Sequence, residues 1–318
     1  MTLINLFLKN ISTIKRKYIL FLLLFLCLIN MSCSDFFACK TTSFYNSCPG
    51  WVDTNNIYYL QDEDIGKSYW LDFDRGYDDH TYYVCTMDLG TNEINKIVEI
   101  AEAKDCVDGY GAKSISNISW IGNNIVFYDD GIWSINSNGD NKILLSATGS
   151  CPRLSPLGNY IAYVENDNQG WIMNYDGSGN KKVLDFCVES APCWFTDESK
   201  LIFISTDSLK TVDLDGNIVN VISQPCIEGI DISPNSQNLV CLYSKDSTKL
   251  IVMNIDGSNR NAIYYEHFAA PIWAPDNVRI LGFSRVPDPE YTFSFNLEIA
   301  LINNDGTGYT KVLDYHVW

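Results

Sequence analysis

Residues 154–178 of this 318-residue chain read LSPLGNYIAYVENDNQGWIMNYDGS. An aliphatic residue is followed by a short polar turn, an apolar run, a loop and a second apolar run that ends at an Asp-Gly pair. Short apolar runs bounded by turn residues are typical of β-strands. Asp-Gly supplies the positive φ that a tight hairpin requires. With its flanks, the stretch predicts a unit of four antiparallel strands.

The same pattern occurs six times along the chain. From the second copy onward the starts are 34, 40, 38 and 41 residues apart, and the first interval, 69, contains an insertion at residues 61–83. The copies begin at Trp51, Trp120, Leu154, Trp194, Ile232 and Trp273. Their Asx-containing turns end at Gly90, Gly139, Gly177, Gly216, Gly257 and Gly306.

Repeats of about 40 residues with four strands are the signature of β-propeller blades. One blade cannot bury both of its faces, but packing against two neighbours in a ring does so. The sequence therefore predicts an all-β, six-bladed β-propeller of four-stranded antiparallel blades over residues 50–318. The residue that begins each copy is expected in the core between blades.

Two of the copies carry a family resemblance. Residues 154–163 (LSPLGNYIAY), 172–178 (IMNYDGS) and 252–258 (VMNIDGS) resemble the TolB-type, WD-like repeat, which runs W-S-P-D-G-x-x-I-A-F and then I-x-x-M-N-x-D-G-S. The resemblance covers residues 50–318 and implies the propeller architecture. TolB itself has an α/β domain before its propeller, for which residues 1–49 are too short, so its partners are not carried over.

The first 33 residues have the pattern of an export signal. A basic stretch at residues 15–17 precedes an apolar run at 18–29, and Ser32 precedes Cys33. This resembles a bacterial lipobox. We predict a signal peptide at 1–32, cleavage before Cys33 with a lipid on its sulfur, and a tether at 33–49. A plain secretory signal and an N-terminal membrane anchor are the alternatives.

That segment predicts a location in the cell envelope, with the membrane as a partner through the lipid on Cys33 and the outer membrane as the favoured site. The formal net charge of −17 repels nucleic acid and excludes it as a partner. An envelope protein or a glycan is the expected partner of a monomeric propeller. Oxidising surroundings favour disulfides among the other cysteines, although Cys241 is interpreted as a buried free thiol.

No motif for catalysis is present. The sequence lacks HExxH, GxSxG and a P-loop, and we predict that the chain is not an enzyme. The connections that enter each innermost strand are expected to meet at the mouth of the central channel. They bring candidate ligand or metal-binding residues there, namely Cys187, Glu189, Cys226, Glu228, Glu266, His267 and His316.

Thiolates, imidazoles and carboxylates are metal ligands, so a divalent cation at this mouth is one interpretation. Disulfides and solvated carboxylates are the favoured interpretation, and no cofactor is expected. The insertion at 61–83 is interpreted as a contact or solvated loop in preference to a calcium site.

The predicted function is binding or scaffolding of a protein, peptide or glycan at the channel mouth. A propeller-based hydrolase or lyase acting on polysaccharide, with a metal or His/Glu site, is the alternative. A structural spacer is the third hypothesis, and it predicts a channel filled by the protein's own side chains.

Overall fold

The computed structural model describes residues 49–64, 79–104, 115–165, 168–185, 192–205, 208–223, 226–244, 248–264, 268–287 and 295–315. They all belong to one unit, residues 43–105 and 113–318. They form six four-stranded sheets and no helix, so no described helix could cross a membrane. The predicted signal peptide, Cys33 and nearly all of the tether lie outside the described residues.

The 24 described strands follow one another blade by blade. Blade 1 holds β1 (Gly50–Trp51), β2 (Asn56–Asp64), β3 (Asp79–Asp88) and β4 (Ile94–Lys104). Blade 2 holds β5 (Ser116–Ile121), β6 (Asn124–Tyr128), β7 (Ile132–Asn136) and β8 (Ile143–Ser146). Blade 3 holds β9 (Ser150–Leu154), β10 (Tyr160–Val164), β11 (Gly170–Asn174) and β12 (Lys181–Leu184).

The remaining three blades repeat this order. Blade 4 holds β13 (Cys193–Trp194), β14 (Lys200–Ser205), β15 (Ser208–Asp213) and β16 (Ile218–Ser223). Blade 5 holds β17 (Cys226–Ile232), β18 (Asn238–Ser244), β19 (Thr248–Asn254) and β20 (Asn261–Tyr264). Blade 6 holds β21 (Phe268–Trp273), β22 (Arg279–Pro287), β23 (Phe295–Asn303) and β24 (Thr310–Tyr315).

Each blade is a sheet of four consecutive antiparallel strands. The predicted six-bladed propeller is therefore confirmed. The insertion in the first unit extends β2 and β3, which stay paired as far as Asp64 opposite His80. Residues 65–78 of that insertion lie outside the described residues, so its interpretation as a contact loop stays a prediction.

The core lies between blades because neighbouring strand residues point to opposite faces of a sheet. In β18, Leu239 and Cys241 pack towards blade 4, whereas Val240 and Leu242 pack towards blade 6. Six such clusters of buried residues each join a pair of adjacent blades. A short apolar run thus serves two interfaces at once, which is why these runs are apolar at every position.

Side-chain packing also joins the last blade to the first. Ile57 and Tyr59 of β2 are buried against Leu281 and Phe283 of β22. Arg279 donates a hydrogen bond to the carbonyl oxygen of Thr54 at 2.6 Å. Its guanidinium lies 5.2 Å from the centroid of the Trp51 ring, a cation–π distance. In the described residues the ring closes through these contacts, with blades 1 and 6 each built from four consecutive strands.

The Asp-Gly and Asn-Gly turns join the third and fourth strands of a blade. Five of the six predicted glycines have φ between 82° and 89°, at Gly139, Gly177, Gly216, Gly257 and Gly306. In each, the glycine N–H donates to the carbonyl oxygen three residues earlier. The turn of blade 1 differs, because Asn92, with φ 59°, takes the left-handed conformation in place of Gly90.

The structure corrects one expectation about cysteine. Cys241 is fully buried in a strand, as predicted, but it is disulfide-bonded and not a free thiol. Cys85, Cys151 and Cys193 are the free cysteines among the described residues. Strand alternation predicts burial, whereas disulfide pairing depends on which chain segments meet in space.

Candidate functional site: a cavity in the central channel

Most of the predicted channel-mouth residues cannot be placed. Cys187, Glu189, Glu266, His267 and His316 lie outside the described residues. Cys226 and Glu228 belong to the backbone of β17, opposite Tyr243 and Leu242, but their side chains are not described. The metal interpretation stays a prediction, and in the described part of the chain no three Cys, His, Asp or Glu side chains are grouped to hold a metal ion.

A cavity of about 420 Å³ lies in the central channel. The innermost strands of all six blades contribute to its lining, namely β1, β5, β9, β13, β17 and β21. Pro156, Thr196, Pro234 and Pro275 also line it. Each of these four is two residues beyond the residue that begins its sequence repeat. The cavity therefore extends to the end of the channel where the innermost strands turn back into the second strands.

The two predicted residues that belong to described strands lie towards the other end of theirs. Cys226 and Glu228 are the first and third residues of β17, whereas the cavity-lining residues of that strand are near its end. In β17, Cys226 is the first residue and Asp231 is next to last. At about 3.3 Å per residue they are separated by roughly 15 Å along the strand.

One side of the cavity is aromatic. We call Trp51, Tyr58 and Trp120, from blades 1 and 2, the aromatic wall. The Tyr58 and Trp120 rings are 5.9 Å apart between centroids and tilted by 46°. The Trp120 backbone N–H donates to the Tyr58 hydroxyl at 3.4 Å, and its indole N–H donates to the Gly122 carbonyl at 2.7 Å. These bonds fix the Trp120 ring while leaving it partly exposed.

The tryptophans that begin a repeat therefore divide into two kinds. Trp194 and Trp273 are 4% and 3% exposed and belong to clusters between blades, as predicted. Trp51 and Trp120 are only half-buried. They still pack against the clusters between blades 1 and 2 and between blades 1 and 6. All four tryptophans also line the cavity, so a residue that begins a repeat contributes to the cavity as well as to the predicted core.

The other side of the cavity is polar. Arg153 and Asp231 line it, and Cys193, which does not, is buried beside them in the cluster between blades 4 and 5. We call these three residues, from blades 3, 4 and 5, the polar wall. Asp231 is 5% exposed and forms a salt bridge with Arg153. It accepts a hydrogen bond from the Cys193 thiol at 3.2 Å and one from the backbone N–H of Trp273 at 2.7 Å. A single carboxylate thus ties the innermost strands of blades 3, 4, 5 and 6 together.

Cys193 is held as a neutral thiol in this network. Burial raises the pKa of Cys193 far above its ordinary value, and the adjacent Asp231 carboxylate raises it further while Arg153 opposes the change. Its sulfur also accepts a hydrogen bond from the backbone N–H of Ile232 at 3.2 Å. A protonated, fully buried thiol is neither a nucleophile nor a metal ligand at neutral pH, so this residue is structural.

Sequence analysis missed the polar wall, although a signal for it exists. The residue immediately before each repeat start occupies one equivalent position, with Gly50, Ser119, Arg153, Cys193, Asp231 and Ile272 in the six blades. Five of the six line the cavity. The exception is Cys193, which packs in the cluster between blades 4 and 5. In the other five blades this position faces the channel, because neighbouring side chains of a strand point to different faces. Arg153 and Asp231 are the charged members of that set.

Comparison with known proteins shows the fold and does not give a family. No protein-family model and no curated protein matches the chain. A solved oligogalacturonate lyase from Vibrio parahaemolyticus is similar, with a TM-score of 0.48 and 13% identity over 70% of this chain and 73% of that one.

Two further solved structures are similar at the same level. An oligogalacturonate lyase in complex with manganese has a TM-score of 0.44 and 15% identity over 76% of this chain and 75% of that one. The tricorn protease has a TM-score of 0.43 and 15% identity over 80% of this chain and 30% of that one. At such identities the likeness concerns the fold alone. The TolB-type resemblance stays a prediction.

These likenesses correct the prediction that the chain is not an enzyme. That prediction followed from the absence of a catalytic motif in the sequence. The similar structures are named as lyases and a protease, so the propeller architecture is no reason to exclude catalysis.

Proposed function

We propose that this chain is a lipid-anchored propeller of the cell envelope that binds a short glycan in its central channel. The observation that carries the proposal is the cavity of about 420 Å³ with aromatic side chains from several blades in its wall. Ligand pockets are typically concave, about 300–1,000 Å³ in volume, and mostly apolar with a few polar groups. This cavity has each of those properties.

The shape of the site favours a small ligand over a folded protein. Stable protein interfaces bury about 800 Å² on each partner and are spread over a broad surface. Here the accessible rings belong to the wall of a channel. A sugar ring presents C–H groups on one face and hydroxyl groups at its edge, so it can stack on an indole while its edge meets polar atoms.

The lining supplies polar partners for such hydroxyl groups. Asn117, Ser119 and Thr196 line the cavity.

Trp120→Ala tests the proposal. The full chain is titrated with a panel of oligosaccharides while intrinsic tryptophan fluorescence and the heat of binding are recorded. We expect Trp120→Ala to weaken binding of the best ligand by about tenfold, which corresponds to about 1.4 kcal/mol of lost stacking energy.

Trp133→Ala is the matched control. Trp133 belongs to β7 of the same blade and is half-buried in the same cluster as Trp120, but it does not line the cavity. We expect it to leave the dissociation constant unchanged. Equal weakening by both substitutions, or no sugar bound by the unmodified chain, would contradict the proposal.

The same incubations show whether the bound glycan is a substrate. Shortened products, or unsaturated ones detected by ultraviolet absorbance, would make the cavity a site of polysaccharide cleavage.

The envelope anchor is tested by replacing Cys33 with Ala, which should release the protein from the membrane fraction of cells that express it. Membrane retention of the Ala variant would exclude the lipid on Cys33 as the anchor.

A further inference from the structure

The two opposite charges in the described lining of the cavity cancel each other. Arg153 and Asp231 are the two residues with charged side chains among those described in the lining, and they form a salt bridge. Their side chains are 21% and 7% exposed. The wall therefore carries no net charge in the described residues, although the chain as a whole carries −17.

An acidic sugar is poorly matched to this wall. A carboxylate that leaves water needs a cation or several N–H donors to offset the loss of hydration. To pair with Arg153 it would have to compete with Asp231, and displacing Asp231 would leave a buried carboxylate without its cation. The strongly negative charge of the chain adds a repulsion that does not act on a neutral ligand.

Arg279, which lies beside a residue of the aromatic wall, is matched in the same way. Arg279 lies over the Trp51 ring and binds Asp276, with 2.5 Å between Nε and Oδ2. Its other contact is to the Thr54 carbonyl. This arginine is part of the junction between blades 6 and 1, where it is held by a carboxylate, a carbonyl and a ring.

The rest of the described lining is uncharged. It includes the partly exposed rings of Trp51 and Trp120 and the polar side chains of Asn117, Ser119 and Thr196. We infer that the cavity selects a neutral pyranoside with an apolar face and discriminates against uronates. The inference rests on the proposed glycan-binding function and names the class of sugar for that site.

A matched pair of ligands tests the inference on the unmodified full chain. Trigalacturonate and its fully methyl-esterified form differ in charge and share the same sugar. Neutral trisaccharides of glucose, xylose, mannose and N-acetylglucosamine are measured beside them by calorimetry. We expect at least one neutral trisaccharide to bind, and the ester to bind about tenfold or more tightly than the acid. The dissociation constant of the neutral ligand should change little between about 50 and 500 mM salt.

The outcomes separate the inference from the function on which it rests. Tighter binding of the acid than of its ester, weakened by salt, would overturn the neutral class and leave glycan binding intact. If no sugar of either kind binds, both fail. Binding restricted to neutral sugars, or to the ester and not the acid, supports both.

Asp231→Asn makes the comparison sharper. Removing this carboxylate leaves the described lining with a net positive charge from Arg153, so the variant should gain affinity for trigalacturonate relative to the ester. A melting curve first establishes that the variant is folded. If it does not fold, the acid–ester pair on the unmodified chain decides the question by itself.

Discussion

The two walls of the cavity use their side chains in different ways. In the polar wall, Arg153, Cys193 and Asp231 satisfy one another and the Trp273 N–H, so their hydrogen-bonding capacity holds four blades together. In the aromatic wall, the indole N–H of Trp120 is bonded to the Gly122 carbonyl and the Trp51 ring lies under Arg279, while both rings stay partly exposed. The difference indicates that charge at this site stabilises the ring of blades, whereas the exposed aromatic surface is where we propose that a ligand binds.

The largest effect is expected at the centre of the polar wall. Asp231→Ala should lower the free energy of unfolding by about 3–5 kcal/mol, because it removes the carboxylate that pairs with Arg153 and accepts a hydrogen bond from the Trp273 N–H. Denaturant unfolding measures this. Asp215→Ala is the control, since Asp215 pairs with Lys181 at the surface and its side chain is 80% exposed. A similar loss in both variants would remove the distinction between the walls.

A double substitution separates the cost of leaving one charge of the ion pair behind from the cost of losing the other hydrogen bonds of Asp231. Arg153→Met combined with Asp231→Leu removes both charges and retains apolar volume, so it should recover most of the stability lost in Asp231→Ala. Failure to recover would indicate that the bonds of Asp231 to Cys193 and Trp273 matter more than the ion pair.

An intermediate effect is expected at Cys193. Cys193→Ala removes one hydrogen bond to Asp231 and a buried sulfur, which should cost about 1–2 kcal/mol. In the folded chain, Cys193 should also resist thiol reagents near pH 8, because burial raises its pKa and excludes the reagent. Labelling followed by peptide mass spectrometry measures this. Rapid modification of Cys193 before unfolding would contradict the described network.

The smallest effect is expected outside both walls, at the turns between third and fourth strands. The hydroxyl and backbone N–H of Ser178 donate to Asp176 and lower the pKa of that carboxyl below 3.8, as Ser258 does for Asp256 and Thr307 for Asp305. A carboxyl with a lowered folded-state pKa stabilises the fold above its unfolded-state pKa. That contribution is lost as the pH falls through the folded-state value.

The free energy of unfolding should therefore decline as the pH falls below about 4. Replacing Asp176, Asp256 and Asp305 together by Asn should make this decline shallower while leaving the turns formed. Unfolding series between about pH 5 and 2 give the two slopes. Equal slopes would show that these exposed carboxylates contribute nothing to the acid sensitivity.

The sequence predicts the blades well because their determinants are local. Strand alternation and the turn glycines act over a few residues, so the repeat at 154–178 is enough to identify a blade. The Arg153–Asp231 contact is different, because it joins residues 78 apart in blades 3 and 5 and depends on the geometry of the ring. The candidate site was predicted from residue types that bind metals, namely Cys, His and Glu. The cavity is formed by the convergence of six innermost strands, which residue types alone do not reveal.

Each described blade consists of four consecutive strands, so the boundaries between blades in space coincide with boundaries in the sequence. Adding or deleting one whole repeat then changes the ring by one complete blade and leaves every other sheet intact. Such a ring is suited to growth by tandem duplication, and a duplicated blade is afterwards free to diverge at the position that faces the channel. The residue at that position differs in all six blades, from Gly50 to Ile272, and five of the six line the cavity, which fits one repeated frame whose copies diverged separately.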